Sequence, residues 1–126
     1  MTGQRILVVE DNEKNMKLFR DVLTATGYEA LEATTGEGAV ALATEHVPDL
    51  VLMDIQLPDI DGVEALARLR GDERTASIPV LALTAQAMHG DRERFLGAGF
   101  DGYLSKPVNI VELVGAVKEY CDGSGR

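Results

Sequence analysis

Three stretches of the chain, residues 6–9, 50–53 and 80–83, are apolar at every position and show no polar alternation. Short unbroken runs of this kind suit parallel strands covered on both faces. Weaker runs at residues 28–31 and 102–104 predict two further strands, less apolar as edge strands are. Between the runs, residues 15–26, 38–45, 63–69, 92–97 and 110–120 read as helices, the first with Met16, Phe19, Val22 and Leu23 on a shared arc. Strict alternation of strand and helix predicts an α/β domain. Gly27 stands where a left-handed residue closes a helix, Gly36 and Gly38 punctuate the turn before the second helix, and Pro48 separates that helix from the third strand. A chain of 126 residues suffices for one core and leaves no room for a second domain. The polar residues 122–126 read as a frayed tail.

Chemistry gathers where the strands stop. Val9 runs into Glu10 and Asp11, Met53 into Asp54, Leu83 into Thr84, and Leu104 into Ser105 and Lys106. Open parallel sheets bind ligands beyond the carboxyl ends of their strands, where strand order reverses. With the order 2-1-3-4-5, Glu10, Asp11 and Asp54 converge there, and Thr84 and Lys106 arrive from the fourth and fifth strands. Singly, each has an ordinary reading: acids and threonine as helix or turn caps, the lysine as a solvated charge. Such residues in register at four strand ends favour a site.

Three carboxylates aimed at one small volume repel, and two unit charges ~4 Å apart cost about 4 kcal/mol at an effective dielectric of 20. Cations must sit among them. Lys106 supplies one, and Mg²⁺, a hard ion bound through carboxylates, waters and phosphate oxygens, suits an open acidic cleft. Flanked by both, Asp54 stays ionised and can attack phosphorus to form an acyl phosphate. The phosphoryl oxygens then find partners in the metal, Lys106 and the Thr84 hydroxyl.

Twenty-one acids against twelve bases give a net charge of -9, which works against binding nucleic-acid phosphates or anionic lipid. Cys121 is the only cysteine, so no internal disulfide forms and a reducing cytoplasm fits. Nothing near the start resembles a signal sequence, and no apolar run approaches the ~20 residues of a membrane span. His46 and His89 have no partnered acid or cysteine nearby in sequence and read as surface residues.

At these residues the chain resembles the receiver domain of two-component response regulators, over essentially residues 5–120. The likeness rests on Glu10-Asp11 after the first strand; Met53-Asp54 with Pro58 and Gly62; Thr84-Ala85; and Tyr103-Leu104-Ser105-Lys106-Pro107, in order and at the family's intervals. The resemblance implies a single flavodoxin-like (βα)5 domain with a parallel sheet in the order 2-1-3-4-5. It implies that Asp54 is the phosphoacceptor, and that Mg²⁺ is held by Asp11, Asp54 and the main-chain carbonyl of Gln56, with Glu10 acting through water. It further implies a cis Lys106-Pro107 bond and a switch pair, Thr84 and Tyr103, read out on the face of the fourth helix, fifth strand and fifth helix. A sensor histidine kinase or histidine phosphotransferase would be the donor. The protein would act in the cytoplasm as a monomer or weak dimer, catalysing only its own phosphorylation and dephosphorylation, and signal through protein contacts or a phosphorelay.

The acid pair is Glu-Asp where many family members have Asp-Asp, which places Glu10 in the outer shell. Gln56 and Gln86 occupy the positions two beyond Asp54 and Thr84 that tune phosphoryl lifetime in the family. Within the family, Val9-Glu10-Asp11-Asn12, Asn15-Met16-Lys17-Leu18-Phe19, Met53-Asp54-Ile55-Gln56-Leu57-Pro58, Ala87-Met88 and Gly90-Asp91 look most like stand-alone receivers of the DivK cell-cycle type. Receivers fused to hybrid kinases share much of that pattern, so a fragment of a larger regulator is the alternative to a complete single-domain protein. Met16 and Phe19, if exposed, form a docking patch for a histidine-containing donor; if buried, they are core residues of an amphipathic helix. A phosphatase of the haloacid dehalogenase class needs a second aspartate two residues after the nucleophile, where this chain has Gln56. An FMN carrier would need a phosphate cradle where Glu10 and Asp11 repel one.

Overall fold

The apolar runs and the helices between them alternate as β1 (Arg5–Val9), α1 (Glu13–Ala25), β2 (Glu29–Ala33), α2 (Gly36–His46), β3 (Leu50–Asp54), α3 (Gly62–Arg70), β4 (Val80–Thr84), α4 (Asp91–Ala98), β5 (Gly102–Ser105) and α5 (Ile110–Cys121). This computed structural model describes residues 4–85 and 91–121. Gln86, Ala87, Met88, His89, Gly90 and the 122–126 tail lie outside the described residues. All strand pairs are parallel, in the order β2-β1-β3-β4-β5.

The central strands are apolar throughout because both faces are covered. Leu7, Val9, Val51, Met53, Val80 and Ala82 meet α2, α3 and the aromatic rings of Phe95 and Phe100 on one face. Ile6, Val8, Leu50, Leu52, Leu81 and Leu83 meet α1 and α5 on the other, with Cys121 buried among them. Met16 and Phe19 belong to this second cluster, 4% and 1% exposed. The docking patch they would have formed is therefore absent; burying two such side chains stabilises the fold by about 1.5–3 kcal/mol each.

Element ends shift by one or two residues from the sequence reading, and two of these shifts have a clear local reason. Strand β2 starts at Glu29 because the Tyr28 amide donates to Leu23 O, closing α1 behind the left-handed Gly27 (φ 95°). Helix α2 starts at Gly36, so the two glycines sit inside its first turn instead of before it. A Cβ on Gly36 would lie 2.4 Å from Ile60 Cγ1, and only glycine lets the loop after β3 pack there.

That loop clasps the same helix end. Thr35 caps α2 by accepting from Gly38 N, and the Asp59 carboxylate accepts from Gly36 N (2.8 Å) and Glu37 N (2.9 Å). The first three amides of α2 are thereby satisfied. These amides hold the Asp59 carboxyl down to about 2, against about 4 in an unfolded chain. The folded state thus keeps Asp59 ionised where the unfolded state takes up a proton. Its charge contributes to stability in full above about pH 4, less as pH falls, and nothing below about pH 2. Thermal unfolding of wild type and Asp59→Asn from pH 6 to pH 2 is expected to show a constant gap in Tm above about pH 5 that closes towards pH 2.

At the amino end of the sheet, Arg70 joins four segments. Its guanidinium donates to Ala76 O and Ile78 O ahead of β4, to Gly99 O just beyond α4, and to Asp101 Oδ2 before β5. Asp101 Oδ2 also accepts from Val80 N, and Asp101 O accepts from the Tyr120 hydroxyl of α5.

Candidate functional site

The carboxyl ends of β1, β3, β4 and β5 bring Glu10, Asp11, Asp54, Thr84 and Lys106 to one end of the sheet. Asp54 is the last residue of β3, paired with Leu83, and Thr84 is the last of β4, paired with Ser105. The Lys106 amide continues the ladder by donating to Thr84 O at 2.8 Å. The Lys106-Pro107 peptide is cis. Behind Asp54 the packing is tight: a Cβ on Gly62 would lie 2.6 Å from Asp54 O, so the start of α3 closes directly on the strand end.

Asp54 is 5% exposed and held at both oxygens. Oδ1 accepts from the Gln56 amide at 2.9 Å, and Oδ2 from Lys106 Nζ at 2.7 Å. Lys106 Nζ also lies 2.9 Å from Glu10 Oε1, so one ammonium serves two carboxylates. Burial pulls the Lys106 ammonium down, but the close contacts with the Asp54 and Glu10 carboxylates outweigh it and its pKa ends above the ordinary lysine value. For Glu10, burial dominates and pushes the carboxyl up. Lys106 and the Asn12 amide oppose the shift, and the Asp54 charge adds to it.

Glu10 is 1% exposed, whereas Asp11 is exposed at the rim. Glu10 Oε2 accepts from Asn12 N, but Oε1 is a buried oxygen without an aligned hydrogen bond; its contact with Lys106 is an ion pair only. The helix cap, the ordinary alternative reading of these acids, is made by Asn12, which accepts from Asn15 N. Oxygens of Glu10, Asp11 and Asp54 all lie within 4.8 Å of one another. An all-oxygen anionic donor set with an under-satisfied buried carboxylate and an open rim fits a hard divalent cation such as Mg²⁺.

A small cleft of about 60 Å³ opens beside Asp54, walled by Gln56, Thr84, Ala85, Lys106 and Arg94 of α4. Thr84 is buried at the cleft wall. Tyr103 is not in this cleft: its half-buried ring packs on Phe95 at a centroid distance of 6.1 Å. Of the two histidines, His46 is half-buried, with Nδ1 3.2 Å from Arg5, and His89 lies outside the described residues.

Two features escape a reading of the sequence. Arg94 has no motif of its own and reaches the cleft only because α4 packs against β5. Asp59 is one of several acids in its loop, and nothing local marks its partners on α2.

Comparison with known proteins places these observations among relatives. A family model described as response regulator receiver domain matches residues 6–118. The chain is 49% identical over 115 residues to the polar-differentiation response regulator DivK of Brucella ovis, covering 91% of this chain and 94% of that protein. Among solved structures it is similar to the receiver domain of sensor histidine kinase PA1611 from Pseudomonas aeruginosa PAO1, with a magnesium ion coordinated in the active site cleft. There the TM-score is 0.88 and the identity 38%, over 95% of this chain and 98% of that one. It is also similar to the receiver domain of Ssk1 from Saccharomyces cerevisiae, crystallised with the histidine phosphotransfer protein Ypd1 (TM-score 0.88, 29% identity, 95% and 90% covered).

Proposed function

Because this chain belongs to the response regulator receiver family and is DivK-like, we propose that it is a phosphoryl-accepting signalling switch with Asp54 as acceptor. The observation that carries this reading is the Asp54 carboxylate, buried, bonded to Lys106 and fixed by the Gln56 amide at the mouth of a small cleft. Residues 5–120 act as one receiver domain.

Phosphoryl transfer from a phosphohistidine forms a P–O bond at an Asp54 oxygen and breaks the P–N bond, the released imidazole taking up a proton. The chain's own part is positioning and neutralisation. Lys106 leaves its bond to Asp54 Oδ2 to meet a phosphoryl oxygen, and Thr84 offers its hydroxyl to another. Asp11, Asp54 and the Gln56 carbonyl would hold Mg²⁺, with Glu10 supporting through water. Bound there, the ion neutralises charge on the phosphoryl oxygens and the surrounding carboxylates.

Thr84 and Tyr103 serve as the switch. Movement of the hydroxyl towards the phosphoryl group vacates space behind β4, and the Tyr103 ring, now half-buried against Phe95, turns inward. The face of α4, β5 and α5 is the surface whose shape then changes. A sensor histidine kinase or a histidine phosphotransferase is the donor, as the Ypd1 and Ssk1 pairing illustrates for a relative, and the site of action is the cytoplasm. The output is a protein contact or onward transfer, not turnover of a metabolite.

Incubation with acetyl phosphate and Mg²⁺ is expected to add one phosphoryl mass, mapped by peptide mass spectrometry to Asp54. EDTA is expected to reduce the adduct to background. An unmodified protein, or an adduct elsewhere, overturns the reading.

A further inference from the structure

The Gln56 amide and the Gln56 carbonyl are held by different parts of the loop after β3. The amide is fixed by Asp54 Oδ1 at 2.9 Å, and it belongs to the peptide unit shared with Ile55. The carbonyl belongs to the next unit, shared with the Leu57 nitrogen, which turns independently about the ψ angle of Gln56. Where that oxygen points therefore depends on how the chain beyond Gln56 is held.

That stretch is short and stiff. Leu57 precedes a proline and is confined to extended conformations, and the Pro58 ring fixes its own φ. Leu57 and Ile60 pack against the core beneath. Asp59 then grips α2, with Gly36 N donating to Oδ1 at 2.8 Å and Glu37 N to Oδ2 at 2.9 Å. An anion at a helix amino end, accepting two charge-assisted bonds, is a firm tie. It persists through the neutral range, since the carboxyl stays ionised down to about 2. At the other end of the loop, Gly62 N donates to Ile55 O at 2.9 Å. The loop is thus closed at its root and clasped at its tip.

Resting on the reading of Gln56 O as a metal ligand, we propose that Asp59 is a positioning residue for the cation site. Its clasp on α2, carried through the stiff Leu57-Pro58 step, aims the Gln56 carbonyl at the cluster of Glu10, Asp11 and Asp54. Without the clasp the 56–57 peptide unit samples a wider arc, and ordering it on binding lowers the affinity for the ion. The amino end of α2 is in this way part of the support of the metal site.

The test uses Mg²⁺ alone, titrated at neutral pH and followed through the Leu57 amide resonance, whose N–H lies in the same peptide plane as Gln56 O. Asp59 is exposed, so Asp59→Ala removes the clasp without opening a cavity. It is expected to raise the half-saturating Mg²⁺ concentration about tenfold, the low end for losing a group that orients a metal ligand. In EDTA the same variant is expected to broaden the Leu57 resonance. Pro58→Ala is expected to weaken binding as well, and the double variant to lose less than the product of the single losses, because both changes loosen one strut. Thr75→Val is the control for lost stability alone: it removes a buried hydrogen bond to Leu69 O ahead of β4. It is expected to lower Tm and leave the half-saturating concentration unchanged. Wild-type half-saturation in Asp59→Ala, an equal loss in Thr75→Val, or full multiplication of the Asp59 and Pro58 losses overturns the role of Asp59 and leaves Gln56 a ligand. Failure of Mg²⁺ to shift the Leu57 amide in wild type overturns Gln56 as a ligand, and Asp59 with it.

Discussion

No phosphoryl adduct is expected on Asp54→Asn after exposure to acetyl phosphate and Mg²⁺ that modifies wild type fully. The amide has the size of the carboxylate and keeps an oxygen for the Gln56 amide, so the loop after β3 should hold its shape. It loses the anionic nucleophile, and an amide nitrogen opposite Lys106 presents a donor to a donor where the 2.7 Å bond stood. Modification should slow by at least about a thousandfold, roughly 4 kcal/mol of barrier. Mg²⁺ should bind more weakly as well, since one of three clustered carboxylates is gone. Intact-mass measurement over a time course, paired with a Mg²⁺ titration, checks both. An adduct forming at the wild-type rate would remove Asp54 from its role.

Lys106→Met is expected to weaken both the chemistry and the fold. The thioether chain replaces the packing of the lysine stem but leaves Asp54 and Glu10 facing each other with no cation between them. Removing one partner of a fully buried ion pair costs about 3–5 kcal/mol, and since the Lys106 side chain keeps 20% of its exposure a cost of about 1–3 kcal/mol is expected. The Glu10 carboxyl, already raised by burial, should rise further. Adduct formation should slow about a hundredfold, as it does when one preorganised donor to a developing anion is removed. Urea unfolding in EDTA and again in saturating Mg²⁺ separates the two effects. A cation bound among the acids offsets part of the lost charge, so the stability gap should narrow with Mg²⁺ while the rate defect persists.

Much of this architecture is legible in the sequence because the central strands are covered on both faces, and full coverage writes itself as unbroken apolar runs. Val51 and Val80 lie in such runs, and their strands fall where the runs do. The edge strand β2 is harder, since Glu29 and Glu32 face solvent and the apolar signal of Tyr28 belongs to the α1 turn. The start of α2 is misread because glycine signals a turn in sequence, whereas Gly36 is needed for its lack of a side chain against Ile60. At the site, Glu10, Asp11, Asp54, Thr84 and Lys106 are legible because parallel strands deliver their carboxyl ends to one edge. Met16 sits at the margin of its helical arc, and only the packing of α1 onto the sheet decides that it is inside. The place of Arg94 at the cleft wall and the contacts of Asp59 with α2 are not legible, because both arise between elements distant in the chain.

The Arg70 knot gives α4 a fulcrum. Gly99 O and Asp101, immediately after that helix, are tied to Arg70, and Asp101 is bonded in turn to β4 and α5. The carboxyl end of α4 is therefore anchored at the edge of the sheet remote from Asp54.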